Sequence, residues 1–582
     1  MSPQNKYLRR ILTAALFITA TTAWAAGNPQ PESGWRALSH QRYEDALKEA
    51  QAVLSSKPTH EEANWLAAEA TLALGDTTGS LKYWNAVVAE EPAHPKAVMR
   101  IVEISLANKD VPGAEKILNV ALNKARQKEL PEFLYSKGLL LAAKGSDDAI
   151  VSLTQATIQN PREPLFYIAL GKVYKEKRIL ALAKDNYVKG LELDPNNAAW
   201  HNELAEIYLA MKDYNTALAE LKSTKALDPN YPNVNYQIGR LYFYSGKYDQ
   251  AIQELQAAQQ KGKESNFFFC TIYGQSLRAV KRLDEAQEYL EKAYALKPND
   301  LTTARTLATN SYDLKKYARA AEVYRQIVAL SEVEAGDFSR LGEAYYNLAG
   351  KDSVSRTNYD SAAVYLKKGL DLNPEDKRLP YLIGMTYYAA DQYDSALVYF
   401  NRKAAVDSTY LPVFIHLGYS YLKKENYPEA VRVLRRAAQL DSSRVSVHMM
   451  LASSLNYLDS TKAAKTEYRK VISMDSTQGD AYGGLGFIYV MEAAAIQNKD
   501  KVTREEREIA KELWRTASGY LRTATQLFPN NASYWVAYGQ AAYYIENYPV
   551  AKTAFTNALR YDPKNSGARE GLKVVEKAEK RQ

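Results

Sequence analysis

"LGYSYLKKENYPEAVRVLRRAAQLD", Leu417–Asp441, aligns without a gap on "IGRLYFYSGKYDQAIQELQAAQQ", Ile238–Gln260. Both stretches carry a glycine, then a tyrosine nine residues later and an alanine three after that. Working outward from these two, small residues form a ladder along the chain. Ala183, Ala217 and Ala251 are spaced by 34, Ala286 follows after 35 and Ala320 after 34. Ala362 comes after 42, Ala396, Ala430 and Ala464 return to 34, Ala517 follows after 53 and Ala551 after 34. Twelve residues before most rungs stands a second small residue: Gly171, Ala205, Gly239, Gly274, Ala308, Gly384, Gly418, Ala452, Gly539. Twelve after many of them stands a helix breaker or turn residue, such as Pro195, Pro229, Pro298, Pro374, Ser442 or Pro563.

A fixed period near 34 with this punctuation predicts a helix–turn–helix repeat. Within Pro412–Ser443, Leu417 and Tyr421 belong to a first helix, while Ala430, Leu434 and Ala437 belong to a second. Lys424-Glu425-Asn426 makes the turn. The Gly and Ala positions are small because helices approach closely only where neither carries a long side chain. A bulky residue there overpacks the crossing, at a cost of about 1–3 kcal/mol.

Leu417-Gly418, Tyr421, Tyr427, Ala430, Leu434 and Ala437 resemble the tetratricopeptide repeat pattern. So do Leu170-Gly171, Tyr174, Ala183, Tyr187 and Pro195, and Trp535, Gly539, Ala551, Phe555, Ala558 and Pro563 match it almost fully. Extended backwards through Ala149, Ala114, Trp84 and a truncated copy at Gly34, Tyr43 and Ala46, the register holds about fifteen repeats. The expectation is an all-α, right-handed superhelical solenoid over 33–564, with a charged capping helix at 565–582. Two copies are lengthened. Eight extra residues near 350–358, around "GKDSVSRTN", read as a longer turn, and nineteen near 490–508 read as two helices grown outward. Asn498-Lys499-Asp500 is the polar tip of the second insertion, and Thr503 with Glu506 forms a capping box.

Lys6, Arg9 and Arg10 precede the apolar run Ile11–Ala25, which ends in Ala23-Trp24-Ala25. Charge, apolar length and small residues at the cut site predict a signal peptide over 1–25 and a linker over 26–32. No later stretch is long and apolar enough to span a bilayer. The expected product is exported and periplasmic or envelope-associated. The net charge of +8 is spread over 75 basic and 67 acidic residues, without the basic patch a nucleic-acid binder concentrates. The single cysteine, Cys270, rules out an internal disulfide and falls on an inward helix position.

No catalytic constellation, metal site or cofactor motif is found. Gly483-Gly484-Leu485-Gly486 lacks the preceding strand and the Gly-Lys-Ser/Thr of a phosphate loop, and it falls in a first helix. No two of His40, His60, His94, His201, His416 and His448 share a helix face at ligand spacing.

The resemblance implies that first helices line a concave groove holding a partner protein or peptide. By register the lining is the residue three before, one after and four after each small position. In the central repeats this selects Tyr236, Arg240, Phe243, Gln275, Arg278, Arg305, Tyr312, Tyr346, Tyr381, Tyr388 and Tyr419, with Glu343, Met385 and Ile415 among them. Tyrosine and arginine carry binding energy at interfaces. The Lys/Asn/Arg clamp of chaperone-tail binders and the asparagine ladder of sugar-transferase arrays are absent at the one-after position: Lys172, Glu206, Arg240, Gln275, Thr309, Glu343. The expected function is a non-catalytic interaction scaffold. The alternatives are a component of an envelope export or polysaccharide-secretion system, with an outer-membrane partner and glycan contact through the same tyrosines, and an enzyme with an undetected site.

Overall fold

Small residues every 34 positions let helices pair at close range, and the structure, a computed structural model, shows what they build. It describes residues 32–128, 130–260, 266–330, 332–350 and 353–580, so the expected signal peptide lies outside the described residues. Among the described residues there are 31 α-helices and no strand. They pair as fifteen consecutive hairpins and one final helix, Ser566–Glu579. The first helix, Glu32–Ser39, is short and already includes the last residue of the expected linker. No helix among the described residues is long and apolar enough to cross a membrane.

The chain divides into two compact units, Met1–Leu296 and Lys297–Gln582. Eight hairpins lie in the first and seven, with the final helix, in the second. Every rung of the ladder from Ala183 to Ala551 is fully buried, as are Ala46, Ala114 and Ala149. The copy with no alanine rung has Ser80 in its place, buried because its Oγ donates to the Ala68 carbonyl at 2.8 Å.

At the glycine crossings from Gly138 to Gly539 the partner is the residue four after the rung. A Cβ on Gly239 would stand 2.8 Å from Leu255, one on Gly418 2.4 Å from Leu434, and one on Gly384 2.5 Å from the Phe400 ring. The crossing is therefore a socket for one large apolar side chain, and the period of the sequence is the period of these sockets. Two substitutions with opposite outcomes follow. Gly384→Ala drives a methyl into the fully buried Phe400 and should cost about 1–3 kcal/mol. Gly519, exposed inside Arg504–Leu527 with nothing within 4 Å of its Cβ position, should gain about 0.8–1 kcal/mol as alanine. Thermal unfolding of the two single variants decides it; a Gly384→Ala midpoint at or above wild type contradicts the socket.

The hairpin turn is a C-terminal cap. In Leu411–Lys423 the Glu425 N–H reaches the Leu422 carbonyl at 3.0 Å and the Asn426 N–H reaches Tyr421 at 2.9 Å. This closure puts Glu425 at φ 56, in the left-handed region. The same φ > 0 position, five before the rung, is filled by Lys212, Lys315, Asp391 and Asp459, and by glycine at Gly246. Asn426 then caps the second helix, accepting the Glu429 N–H at 3.4 Å.

The two lengthened copies differ in kind. Around "GKDSVSRTN" the expected longer turn is instead helix: the second helix of that hairpin begins at Ser353 and runs 20 residues to Leu372. Ser353, Ser355, Arg356 and Thr357 are polar, but no proline or glycine stands between Gly350 and Gly369 to interrupt a helix, so the extra turns propagate from the packed end. In the other, Gly479–Gln497 and Arg504–Leu527 are both extended. The Thr503 hydroxyl accepts the Glu506 N–H at 3.1 Å, and the Glu506 carboxylate accepts the Thr503 N–H at 2.9 Å. That carboxylate also receives Lys499 at 2.7 Å, and these bonds, Lys499 first, hold its pKa down to about 2.

Gly483, Gly484 and Gly486 lie inside Gly479–Gln497, where their missing Cβ atoms make room for Tyr534, Tyr468 and Leu521 respectively. One helix thus packs neighbours on three sides. Cys270 is buried at its inward position.

Candidate functional site

The eleven residues selected by register all lie on first helices, and all are half-buried. The structure does not gather them into one group. Tyr236, Arg240, Phe243, Gln275 and Arg278 belong to the first unit, and Arg305, Tyr312, Tyr346, Tyr381, Tyr388 and Tyr419 to the second. In the first, Tyr236 faces Phe269 at 6.2 Å between ring centroids, and Phe243 faces Tyr244 at 5.3 Å and Tyr248 at 6.0 Å. Burial pushes the Tyr236 hydroxyl pKa up.

In the second unit the arginine is already engaged. Arg305 grips Asp337 through Nε at 2.9 Å and Nη2 at 2.7 Å, with Glu334 2.8 Å from Nη1. It ties one first helix to the next and offers little to a ligand. Tyr312 accepts the Asn347 amide at 3.1 Å, with the Arg340 guanidinium 5.5 Å from its ring. Tyr346 packs edge-on to Tyr359 at 5.9 Å.

Tyr381, Tyr388 and Tyr419 do converge. Tyr381 and Tyr388 sit seven apart on Leu379–Ala389, hence on one face. His416 and Tyr419 sit three apart on Leu411–Lys423. Phe400 rises between them from the second helix Tyr393–Val406. Tyr388 is 5.2 Å from His416, 5.4 Å from Tyr419 and 5.9 Å from Tyr393; Tyr381 is 5.0 Å from Tyr410 and 5.8 Å from both Phe400 and His416. Edge-to-face geometry dominates, as ring quadrupoles favour.

Burial disfavours charge on His416, Tyr381, Tyr388 and Tyr393. It lowers the His416 pKa, while Nδ1–H donates to the Pro412 carbonyl at 2.7 Å. It raises those of Tyr381 and Tyr388, and takes Tyr393, which also donates to Asp391 at 2.9 Å, up to about 12. The result is an aromatic wall whose hydroxyls are donors at neutral pH. Tyr393 and Tyr410 were missed by the register because they flank the first helices instead of lying on them.

The register also stopped short. Run back to Ala68, Val102 and Gly138, it selects Glu103, Tyr135 and three residues, Trp65, Glu69 and Met99, that line a recess in the first unit together with Trp84, Arg100 and Glu163, among others. Arg100, buried, meets Glu69 at 3.3 Å and Glu103 at 2.9 Å, and Tyr135 donates to Glu103 at 2.7 Å. Val102 hid the signal, being neither Gly nor Ala.

Glu91 and His94, three residues apart, and the distant Glu61 place their ligand atoms within 4.8 Å of one another. His94 Nδ1 accepts the Ala97 N–H at 3.2 Å, so in the neutral ring Nε2 carries the proton and turns it toward Glu61, 3.2 Å away. Their chemistry is that of a helix cap and a hydrogen bond.

Family models for the tetratricopeptide repeat match residues 32–84, 67–131, 209–266, 269–300 and 411–444, on the hairpins described above. The chain is a tetratricopeptide repeat protein. No curated protein matches it in sequence. Among solved structures, this repeat protein is similar to YrrB, a TPR protein with an unusual peptide-binding site, at 18% identity over 36% of this chain and 99% of that one, with a TM-score of 0.30. The C-terminal part of a TPR repeat-containing protein from Cytophaga hutchinsonii matches at 19% identity over 53% and 99%, with a TM-score of 0.33. The hetero-tetramer Cut9-Hcn1 of APC/C matches at 13% over 93% and 95%, with a TM-score of 0.29. Tetratricopeptide arrays bind protein or peptide partners and are in general non-catalytic, so the fold suggests an interaction scaffold.

Proposed function

We propose that this repeat protein is an exported, non-catalytic scaffold that holds a segment of a partner protein against the aromatic wall of its second unit. The observation that carries the reading is the convergence of Tyr381, Tyr388, Tyr393, Tyr410, His416 and Tyr419 around Phe400, drawn from three successive helices and their flanks. Half-buried tyrosines present large, pre-ordered apolar area with a donor at the rim, which suits stacking and hydrogen bonding more than charge pairing. Export rests on the Ile11–Ala25 run and the basic residues before it.

The test is capture from periplasmic extract, then titration of the recovered partner as purified protein. Tyr388→Ala/Tyr419→Ala should weaken its binding by at least about thirty-fold, the loss of one interface hot spot. A mature chain beginning at Ala26 checks export. Undiminished affinity in the double variant would remove the wall from consideration.

A further inference from the structure

The recess of the first unit differs chemically from the tyrosine wall. Its floor and sides come from consecutive hairpins: Trp65 and Glu69 on Glu61–Ala73, Trp84 on Thr77–Glu90, Lys96, Met99 and Arg100 on Pro95–Ala107, Glu132 on Pro131–Ala143, and Glu163 with Phe166 at the start of Pro164–Glu176. The cavity holds about 30 Å³, room for a water-sized group, and it opens to solvent. Three carboxylates line it, Glu69, Glu132 and Glu163, with Glu103 directly behind Arg100. Against these four stand two cations, Lys96 and Arg100, so the site is negative by two charges.

Two observations say what it lacks. Glu69 is 4% exposed, its Oε1 meets Arg100, and its Oε2 is buried without a hydrogen-bond donor. A buried carboxylate oxygen with nothing donating to it is costly and calls for a donor. An indole N–H without an acceptor, as at Trp84, is not particular to this place, since Trp200 and Trp514 share it. The second observation is the Trp65 ring, whose face already attracts the Lys96 ammonium at 5.0 Å. Aromatic faces beside carboxylates are the surroundings in which alkylammonium groups are held.

We infer that this recess binds the side-chain ammonium of a lysine presented by a partner protein, with Glu69 Oε2 accepting its proton-bearing end and Trp65 and Phe166 flanking its stem. An ammonium is water-sized and brings only donors, matching an orphan acceptor; a guanidinium is wider and a carboxylate would meet like charge. Burial pushes the Glu163 carboxyl above the usual range, against the Leu165 N–H and the Arg100 guanidinium. The site goes beyond the tyrosine wall and does not depend on it.

The experiment uses the mature full chain and acetylated Ala/Ser heptapeptides with one central residue: lysine, Nε-acetyl-lysine, arginine or glutamate. Binding is read by titration calorimetry and by the indole N–H resonances. The lysine peptide should saturate, shift the Trp65 resonance and bind at least about ten-fold more tightly than the acetyl-lysine peptide, as expected when one charge-assisted hydrogen bond is lost. Glu69→Gln and, separately, the less buried Glu132→Gln should each erase most of that preference, and Tyr388→Ala/Tyr419→Ala should leave it intact. Equal binding of all four peptides, or a preference that survives both glutamine variants, overturns the assignment. So does n-butylammonium binding as tightly as the lysine peptide, which would make a free amine the ligand, or a crystal structure in the peptide's presence that shows only water at Glu69.

Discussion

Arg100→Met should be the most damaging single substitution in the first unit, costing about 3–5 kcal/mol. The side chain is 5% exposed and is the only cation within 4.0 Å of Glu69 or Glu103 among the described residues. Burial works against its charge, but the two glutamates outweigh it, and its pKa rises. Methionine fills much of the volume, so the loss is electrostatic: two carboxylates stay buried with no cation. Tyr135, whose own hydroxyl is kept protonated by burial and by Glu103, cannot replace it. Two buried carboxylates without a cation disfavour the fold while they are ionised and cease to do so once acid protonates them. The deficit should therefore be largest at neutral pH and shrink on acidification. Urea unfolding at two pH values, with hydrogen exchange over residues 61–176 as the local readout, measures both. A loss below about 1 kcal/mol at neutral pH would mean the network carries no stability.

Phe400→Ala should cost a similar amount, about 3–5 kcal/mol. The ring is fully buried in the Gly384 socket, and glycine has no side chain with which to refill it. Collapse is limited, which places the cost toward the upper part of the range. The same ring supports the tyrosine wall, 5.8 Å from Tyr381, 6.4 Å from Tyr388 and 5.6 Å from His416. Stability and partner affinity should fall together. The other sockets supply the control: leucine takes this position at Leu255, Leu366 and Leu434, so Phe400→Leu should lose no more than about 1.5 kcal/mol, the range of a tolerated hydrophobic exchange. If alanine and leucine are equally tolerated, the socket is not what holds the hairpins together.

How far the fold could be read ahead is visible in single positions. Glycine at 384 or 418 has one reason to recur beside a rung, the approach of a large side chain from the paired helix, and that reason is local to one hairpin. The Lys424-Glu425-Asn426 turn is legible between two blocks of helical spacing, since the cap closes within five residues. "GKDSVSRTN" was misjudged because polarity does not distinguish a turn from an exposed helical extension; only the packed continuation Tyr359–Leu372 settles it. The candidate site was legible as a set of wall positions and no further. Arg305 satisfied the register rule, yet Asp337, 32 residues away, already holds it.

The sequence by itself determined the hairpin, its period and which face of each helix is buried at the crossing, because those depend on missing Cβ atoms and helical spacing within about 34 residues. Tertiary structure decided which of the register-selected side chains are already engaged. Whether Tyr388 meets Tyr419, whether Arg305 is taken, and whether Glu69 is left with a bare oxygen are each settled between side chains of different repeats. Rotamer and charge pairing across a stack are cooperative, and no single repeat carries that information.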